Sequence, residues 1–483
     1  MTAISDASDG FLGVALALDM TFIDRNGPKE ASVSNSLLLT AMRCLVGAVA
    51  ALPLAVSADV FRVGQTGAAC THRNIQAAIN AADANPGADE IRITRDVSTS
   101  GEPYWLTNGL TIDTDDALTF SGGWNDCDDE DWQAGFDYQD ISGNGFGKPV
   151  LQIRGSGEIV LAGLGVTLGE APAQGTPRAG GIDFEGTGSL YIYTTRIFAN
   201  TGRLGGGLRV ANGQVTLAVN TYIYGNTAIT GGGVYIGNNG RLKMEGPYAF
   251  ITGNVADFGG GLGVFGSGTA DLVASDSSLA LSGPISGNHA TEAGGAISIQ
   301  TSGAEQQAVV RIASSDPTRV FALTDNSAYR AGAIYVAGGT GGARFCGRNI
   351  NVSHNISQVG ASLMADGPAA SIQMGRDLCA DLPTPNVECA PQGETRCNRI
   401  HENSSGADLL IADSGAQILL SRMRVDHNIV GGAVVNSLTG SPSLSSNITN
   451  ESSLYDHNNA ALLFYAGPYS RVDLPAFFGR RIS

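Results

Sequence analysis

The sequence predicts an all-β fold: a right-handed, single-stranded parallel β-helix solenoid with a short N-terminal capping helix. Three observations predict it. A repeat of about one coil runs through most of the 483 residues, each copy built on one asparagine. An aliphatic residue stands three places before that asparagine, and a glycine six places after it. Glycine, at 66 residues, is about twice its usual ~7% share, yet shows no Gly-X-Y period and accompanies only 17 prolines. Short strands with many turns fit that composition, and a collagen or a disordered tract does not.

The repeat is clearest in RIFANTGRLGGGLRV, YIYGNTAITGGGVYI, FITGNVADFGGGLGV, PISGNHATEAGGAISI and ALTDNSAYRAGAIYV. Their asparagines are Asn200, Asn226, Asn254, Asn288 and Asn326. The aliphatic residues are Ile197, Ile223, Ile251, Ile285 and Leu323, and the glycines Gly206, Gly232, Gly260, Gly294 and Gly332. Asn355, Asn403, Asn428 and Asn458 continue the series behind Val352, Ile400, Val425 and Tyr455. Successive asparagines lie 26, 28, 34, 38, 29, 48, 25 and 30 residues apart.

The aliphatic residue ends a strand and points inward. Asparagine suits the corner because it tolerates left-handed backbone angles and its amide can bond to the backbone. Stacked coil on coil, such amides form a hydrogen-bonded ladder that satisfies them even when buried. The glycines then allow a tight turn of positive φ. The next strand alternates, as in Leu208 and Val210, Val234 and Ile236, Leu262 and Val264, or Ile334 and Val336. Triple-glycine runs and β-branched alternation exclude helical repeats. The unequal spacing also disfavours a sandwich or propeller. In a solenoid the long intervals, 288–326 and 355–403, are loops protruding from a constant coil. At about 4.8 Å per coil, roughly a dozen coils span about 60 Å.

The ends need covering, because open sheet edges invite aggregation. Residues 74–82, NIQAAINAA, read as an amphipathic helix with Ile75 and Ile79 on one face, leading through NPGADEIRIT into a strand. Phe477 and Phe478 offer a plug at the other end. Residues 42–58, MRCLVGAVAALPLAVSA, have the layout of an export signal: Arg43, an apolar run from Cys44 to Val56, and the small-residue site Val56-Ser57-Ala58. The run is too short to span a bilayer. The expected organisation is an extension at 1–41, with translation starting at Met42, a signal segment at 42–58, a cap at 59–95, the β-helix at 96–466 and a cap or tail at 467–483. Without Cys44, six cysteines remain: Cys70, Cys127, Cys346, Cys379, Cys389 and Cys397. Proximity suggests Cys70–Cys127 and two bridges among the other four. A zinc site at Cys379, Cys389 and Cys397 is the alternative, but their spacing lacks a CxxC knuckle.

The segment IQAAINAADANPGADEIRIT resembles the N-terminal cap and first strand of β-helices of the pectin-lyase-like class. The repeats, with Gly294-Gly295-Ala296-Ile297 and Phe198-Ala199-Asn200, resemble the GGAI and FxxN motifs of chlamydial polymorphic outer-membrane proteins. This resemblance covers roughly residues 70–465. It implies a fold; its motifs are structural and imply little about activity.

A formal charge of −17 excludes nucleic acid as a partner. It also opposes anionic polymers unless calcium bridges the two. The run Asp126, Asp128, Asp129 and Asp131 could supply carboxylates to Ca²⁺, yet matches no EF-hand, and a solvated acidic loop explains it equally. His354, His427 and His457 precede ladder asparagines, and His401 lies two before Asn403. They read either as a metal or acid–base edge or as turn residues. Tyr191, Tyr193, Tyr222, Tyr224 and Tyr235 are candidates for an aromatic stripe that stacks on sugars, or for core. Five N-x-S/T triplets, at Asn351, Asn355, Asn403, Asn447 and Asn450, would be glycan acceptors only in a eukaryotic secretory route, which the bacterial-looking leader argues against. The polygalacturonase signatures are missing, and Lys148 and Lys243 sit in no motif. The expectation is therefore an exported, non-enzymatic rod for adhesion or carbohydrate contact, with a host or cell-surface ligand. The alternatives are a divergent polysaccharide lyase or glycoside hydrolase and a self-associating envelope protein.

Overall fold

The structure, a computed structural model, describes residues 58–473 apart from 96–103, 131–137, 172–173, 246–247, 275–283, 305, 315–319, 376–397, 439–445, 452–453 and 469. The expected extension, the signal segment up to Ser57, Asp131, Cys379, Cys389, Cys397, Phe477 and Phe478 lie outside the described residues. The solenoid lies within the unit Ser57–Ser483.

It is a parallel β-helix. Each coil lays one strand in each of three long sheets, so every strand pairs with the strand one coil away. In the coil that ends at Asn200 these are Ile182–Phe184 in a first, 12-stranded sheet, Ser189–Tyr193 in a second, 14-stranded sheet and Thr195–Phe198 in a third, 12-stranded sheet. All pair parallel to both neighbours and in register. A one-residue slip would turn each aliphatic side chain outward, so burial enforces this register. Thus Ile197, Ile223, Ile251, Ile285 and Leu323 form one inward column with no exposed surface. A single apolar cluster fills the tube from Val63 to Ile448. Each such side chain contributes about 1.5–3 kcal/mol of burial.

A fourth, six-stranded sheet, from Val255–Phe258 to Ile429–Val430, occupies the stretch between asparagine and glycine that the sequence suggests is only a corner. Earlier coils make isolated bridges there, such as Thr201 with Thr227. Strand pairing also exceeds the expected bounds. Val60–Val63 and Asp89–Thr94, within the expected cap, are the first strands of the second sheet, and Arg471–Asp473 is its last.

Helix α1, Ile75–Asp83, starts on Asn74, whose side chain accepts the Ala77 N–H, and buries Ile75, Ala78, Ile79 and Ala82. Gln76 covers the open edge of the first sheet: its Nε2 donates to Thr111 O (2.9 Å) and its Oε1 accepts the Thr111 N–H (2.8 Å). The Cys70–Cys127 disulfide ties this region together across 57 residues. Cys346 is also disulfide-bonded.

The left-handed residue at the ladder corner is not the asparagine but the residue before it: Ala199 (φ 54), Gly225 (62), Asp325 (58), His354 (55), Glu402 (54), His427 (55) and His457 (47). The asparagine itself turns inward, where its amide is consumed by the ladder. The glycine six places on is needed for closeness. A Cβ on Gly206 would lie 2.4 Å from Gly232 O, and one on Gly232 2.5 Å from Gly260 O. In the Asn288 coil the equivalent residue is Gly295, one later than the expected Gly294, because His289–Ala293 carries one extra residue relative to both neighbours.

Candidate functional site

The corner from the second to the third sheet separates solenoid from surface. It can be a single left-handed residue, such as Thr194, between Ser189–Tyr193 and Thr195–Phe198. The same corner takes the long intervals between Thr94 and Tyr104, Trp124 and Gln139, Ala274 and Ile285, and Gly375 and Arg399. The coil resumes in register after each; Ser353 pairs with His401 across the longest. Insertions therefore collect along one border of the third sheet, and its outward columns are the candidate site.

The early coils of this face are aromatic. Phe198 stacks on Tyr224 with centroids 5.2 Å apart, and Tyr222 on Phe250 at 5.7 Å. Arg196 lies 4.3 Å above the Tyr138 ring and donates to Asp140 Oδ1 at 2.8 Å. Because the rings cover each other's faces along the solenoid axis, they offer solvent their edges and hydroxyls. Partial burial pushes the Tyr138, Tyr222 and Tyr224 phenols up, so they stay protonated donors at neutral pH. The Tyr224 column then continues through Thr252, which is partly exposed, and Ser286, Thr324 and Ser353, which are buried.

The late coils are charged. Asp426, with no exposed side-chain surface, is held by Arg399 (Nε–Oδ1 2.7 Å), Arg424 (Nε–Oδ2 3.0 Å) and His427 (Nδ1–Oδ2 2.9 Å). Burial alone would raise its pKa; the hydrogen bonds from Arg399 and His427 outweigh that and hold it below the usual carboxylate range. His401, paired in register with Asp426, is pushed down to about 4, first by burial and then by the Arg399 charge. Its imidazole is therefore neutral at physiological pH. Its Nδ1 lies 3.1 Å from Glu402 Oε2 but makes no hydrogen bond among the described residues; the contact is a close approach. His354 Nε2 meets the same carboxylate at 3.0 Å.

Of the other sequence candidates, His354, His427 and His457 occupy the left-handed corner position with about half of each side chain exposed. His427 and His457 stack at 5.1 Å. The five tyrosines form no single stripe: Tyr191 and Tyr193 lie on the second sheet, Tyr222 and Tyr224 on the third, and Tyr235 on the first. Alternation along each strand says nothing of which sheet a strand joins. Asp126 Oδ1 accepts the Asp128 N–H (2.8 Å), and Asp129 Oδ2 accepts the Asn125 N–H (3.1 Å), so these carboxylates hold their own turn. Among the described residues, no three His, Cys, Asp or Glu side chains are placed to hold a metal ion. Asn355 and Asn403 are buried in the ladder and closed to glycan attachment. No helix among the described residues is long and apolar enough to cross a membrane.

The ladder itself is continuous. Asn200, Asn226, Asn254, Asn288, Asn326, Asn355, Asn403 and Asn428 each donate through Nδ2 to Oδ1 of the next asparagine at 2.9–3.0 Å, ending on Asn458. Each of those acceptors also receives the backbone N–H of the asparagine before it at 3.0–3.1 Å.

Two arrangements escaped sequence reasoning. Arg196, Arg399 and Arg424 all stand four places before a ladder asparagine, and aligning the repeats on that asparagine would have found them. On the first sheet, Asp183 and Glu185 share Arg178 (2.9 and 3.3 Å) and Arg209 (2.6 and 3.3 Å). Burial raises the Asp183 pKa, while Glu185 is lowered: burial opposes this, but its bond from Gln152 and the arginine charges prevail. Divergent carboxyls are the mark of an acid–base pair. Asp183, however, has no exposed side-chain surface, and both carboxyls are compensated by arginine. This is an ion-pair network bracing the sheet. Compared with known protein families, curated proteins and solved structures, the chain matches none.

Proposed function

We propose that the protein is an exported, non-enzymatic β-helix whose third-sheet face contacts an extended carbohydrate on a cell surface. One observation carries the reading: the Tyr222 and Tyr224 hydroxyls, the Thr252 hydroxyl and the Arg196–Asp140 pair stand in register along one partly exposed face bordered by the insertions. Such a patch can hydrogen-bond several hydroxyls of a polyhydroxyl chain. The charge of −17 favours a neutral glycan over a polyanion. The signal-like segment at 42–58 supports export, and the repeats' resemblance to chlamydial polymorphic outer-membrane proteins of the pectin-lyase-like class supports surface display.

Glycan-array binding of the full chain tests it. Tyr224→Ala and Thr252→Ala should each weaken binding by roughly tenfold, about 1.4 kcal/mol, while Thr216→Ala on the second sheet should not. Absence of glycan binding, or equal loss from the second-sheet variant, sinks the proposal.

A second reading, polysaccharide cleavage, draws on His401, a neutral imidazole beside Arg399 on the same face. Unsaturated uronates released from a polysaccharide panel, and lost in His401→Gln, would favour it over contact alone.

A further inference from the structure

A second surface feature lies on the early coils, away from the third sheet. Residues 108–111, residues 147–149 with Gln152, and Arg178, from three successive coils, enclose a groove of ≈ 320 Å³ where the chain enters the first sheet. That volume is at the lower end of small-molecule sites. We infer that this groove binds a small hydroxylated oxyanion, a carboxylate or phosphate, between Lys148 and Arg178.

Charge supports this first. Lys148 Nζ donates to the neutral Asn108 Oδ1 at 2.7 Å, and among the described residues no carboxylate lies within ion-pair distance of it. Behind it, Arg154, Arg178 and Arg209 share two carboxyls, Asp183 and Glu185. With Asp113, which stands beside Arg154 in register, three guanidinium groups meet three carboxylates, and the Lys148 ammonium leaves one positive charge in a chain that is otherwise strongly acidic. Glu170 meets Lys148 O through its backbone N–H at 3.3 Å; its carboxylate lies beside Gly145, and it forms no ion pair with Lys148.

Donor geometry supports it second. Arg178 uses Nη1 for both of its carboxyl contacts; among the described residues its other nitrogens have no carboxylate partner and can donate to a planar or tetrahedral oxyanion. Lys148 keeps two N–H donors after serving Asn108. The amides of Asn108 and Gln152 give hydrogen bonds suited to hydroxyls next to the anionic group. A neutral sugar would leave the two cations unused.

Titration calorimetry on the full chain at low salt tests the inference, with gluconate, glucose 6-phosphate, inorganic phosphate and glucose as probes. Gluconate and glucose 6-phosphate should bind, glucose should not, and inorganic phosphate should bind more weakly than glucose 6-phosphate. Lys148→Ala should weaken the anions by roughly tenfold, and Lys148→Arg should retain binding. Lys148 is exposed and makes one hydrogen bond, so both variants fold; matching thermal melts verify this. No anion binding up to about 10 mM, glucose binding as well as the anions, or unchanged affinity in Lys148→Ala overturns it. Binding of one anionic sugar alone upholds the site and identifies its source as phosphate or carboxylate. The test does not depend on the third-sheet proposal, which these probes and variants leave untouched.

Discussion

Replacing Asn254 with alanine removes the centre of the ladder. Its Oδ1 accepts the backbone N–H and the Nδ2 of Asn226, both at 3.0 Å. Its Nδ2 donates to Ile223 O and Asn288 Oδ1, again at 3.0 Å. The side chain is wholly buried, so water cannot replace what is lost. Four hydrogen bonds at about 1 kcal/mol each, with the Asn226 N–H left unpaired, place the cost at roughly 4–6 kcal/mol. Equilibrium denaturation measures it, with Asn239→Ala, an exposed site in the same coil, as the reference expected to change by no more than about 0.5 kcal/mol. Asn254→Asp should be destabilised as well at neutral pH, because a carboxylate cannot donate to Ile223 O. If Asn254→Ala costs no more than Asn239→Ala, the ladder is ornament and the stacking energetics given above are wrong.

Gly232→Ala should cost about 3 kcal/mol, because its Cβ would meet Gly260 O and Val255 O at 2.5 Å. Gly225→Asn, at φ +62 with nothing within 4 Å, should be neutral; equal thermal shifts for the two would refute the close-approach explanation. The Cys70→Ser/Cys127→Ser double variant should lose about 4 kcal/mol by chemical denaturation, since the bridge closes a span of 57 residues; no loss would mean that the helical cap holds without it. His401 has a folded pKa of about 4 against an ordinary 6.5, so the unfolded chain takes the proton first. Its effect is absent above the ordinary value and erodes stability as pH falls toward 4, on the order of 3 kcal/mol in all. The stabilisation from Asp426 disappears only lower, as pH falls through its depressed pKa. Denaturation midpoints from pH 7 to 4 should therefore be flatter in His401→Gln, and an unchanged slope would contradict the burial of that ring.

The solenoid is legible in the sequence because each coil repeats the same physical demand. An inward aliphatic column such as Ile197, Ile223 and Ile251 needs one spacing, and a buried amide needs a copy of itself above and below. Insertions did not hide this, since the register closes again after them. The fourth sheet was not legible. Its strands are as short as Ile356–Ser357, and they pair through backbone groups that impose no pattern on side chains. The Gly294 offset was missed for a related reason: one extra residue in His289–Ala293 leaves the asparagine and glycine signals intact while shifting their alignment.

The site was less legible than the fold. Side chains that meet on a solenoid face are one coil apart in space but 25 to 48 residues apart in sequence. The histidines stand out in the sequence because they adjoin the asparagine, yet the most perturbed of them, His401, owes its state to burial and then to the Arg399 charge. Asp183 and Arg209 carry no local motif, and only strand register brings them together. The tyrosines show the same limit, since three sheets share one alternating pattern.

Coil stacking is tested most directly by distances along one outward column. Ser189, Gln214, Arg241, Thr269, Val309, Arg344, Ser371 and Gln417 stand in unbroken register on the second sheet. Spin labels at Ser189 and Gln417, seven coils apart, should be separated by about 34 Å, and labels at Ser189 and Val309, four coils apart, by about 19 Å. Pulsed electron resonance reads both. Separations that grow in proportion to coil number are the expected result; separations that ignore it would contradict the parallel β-helix.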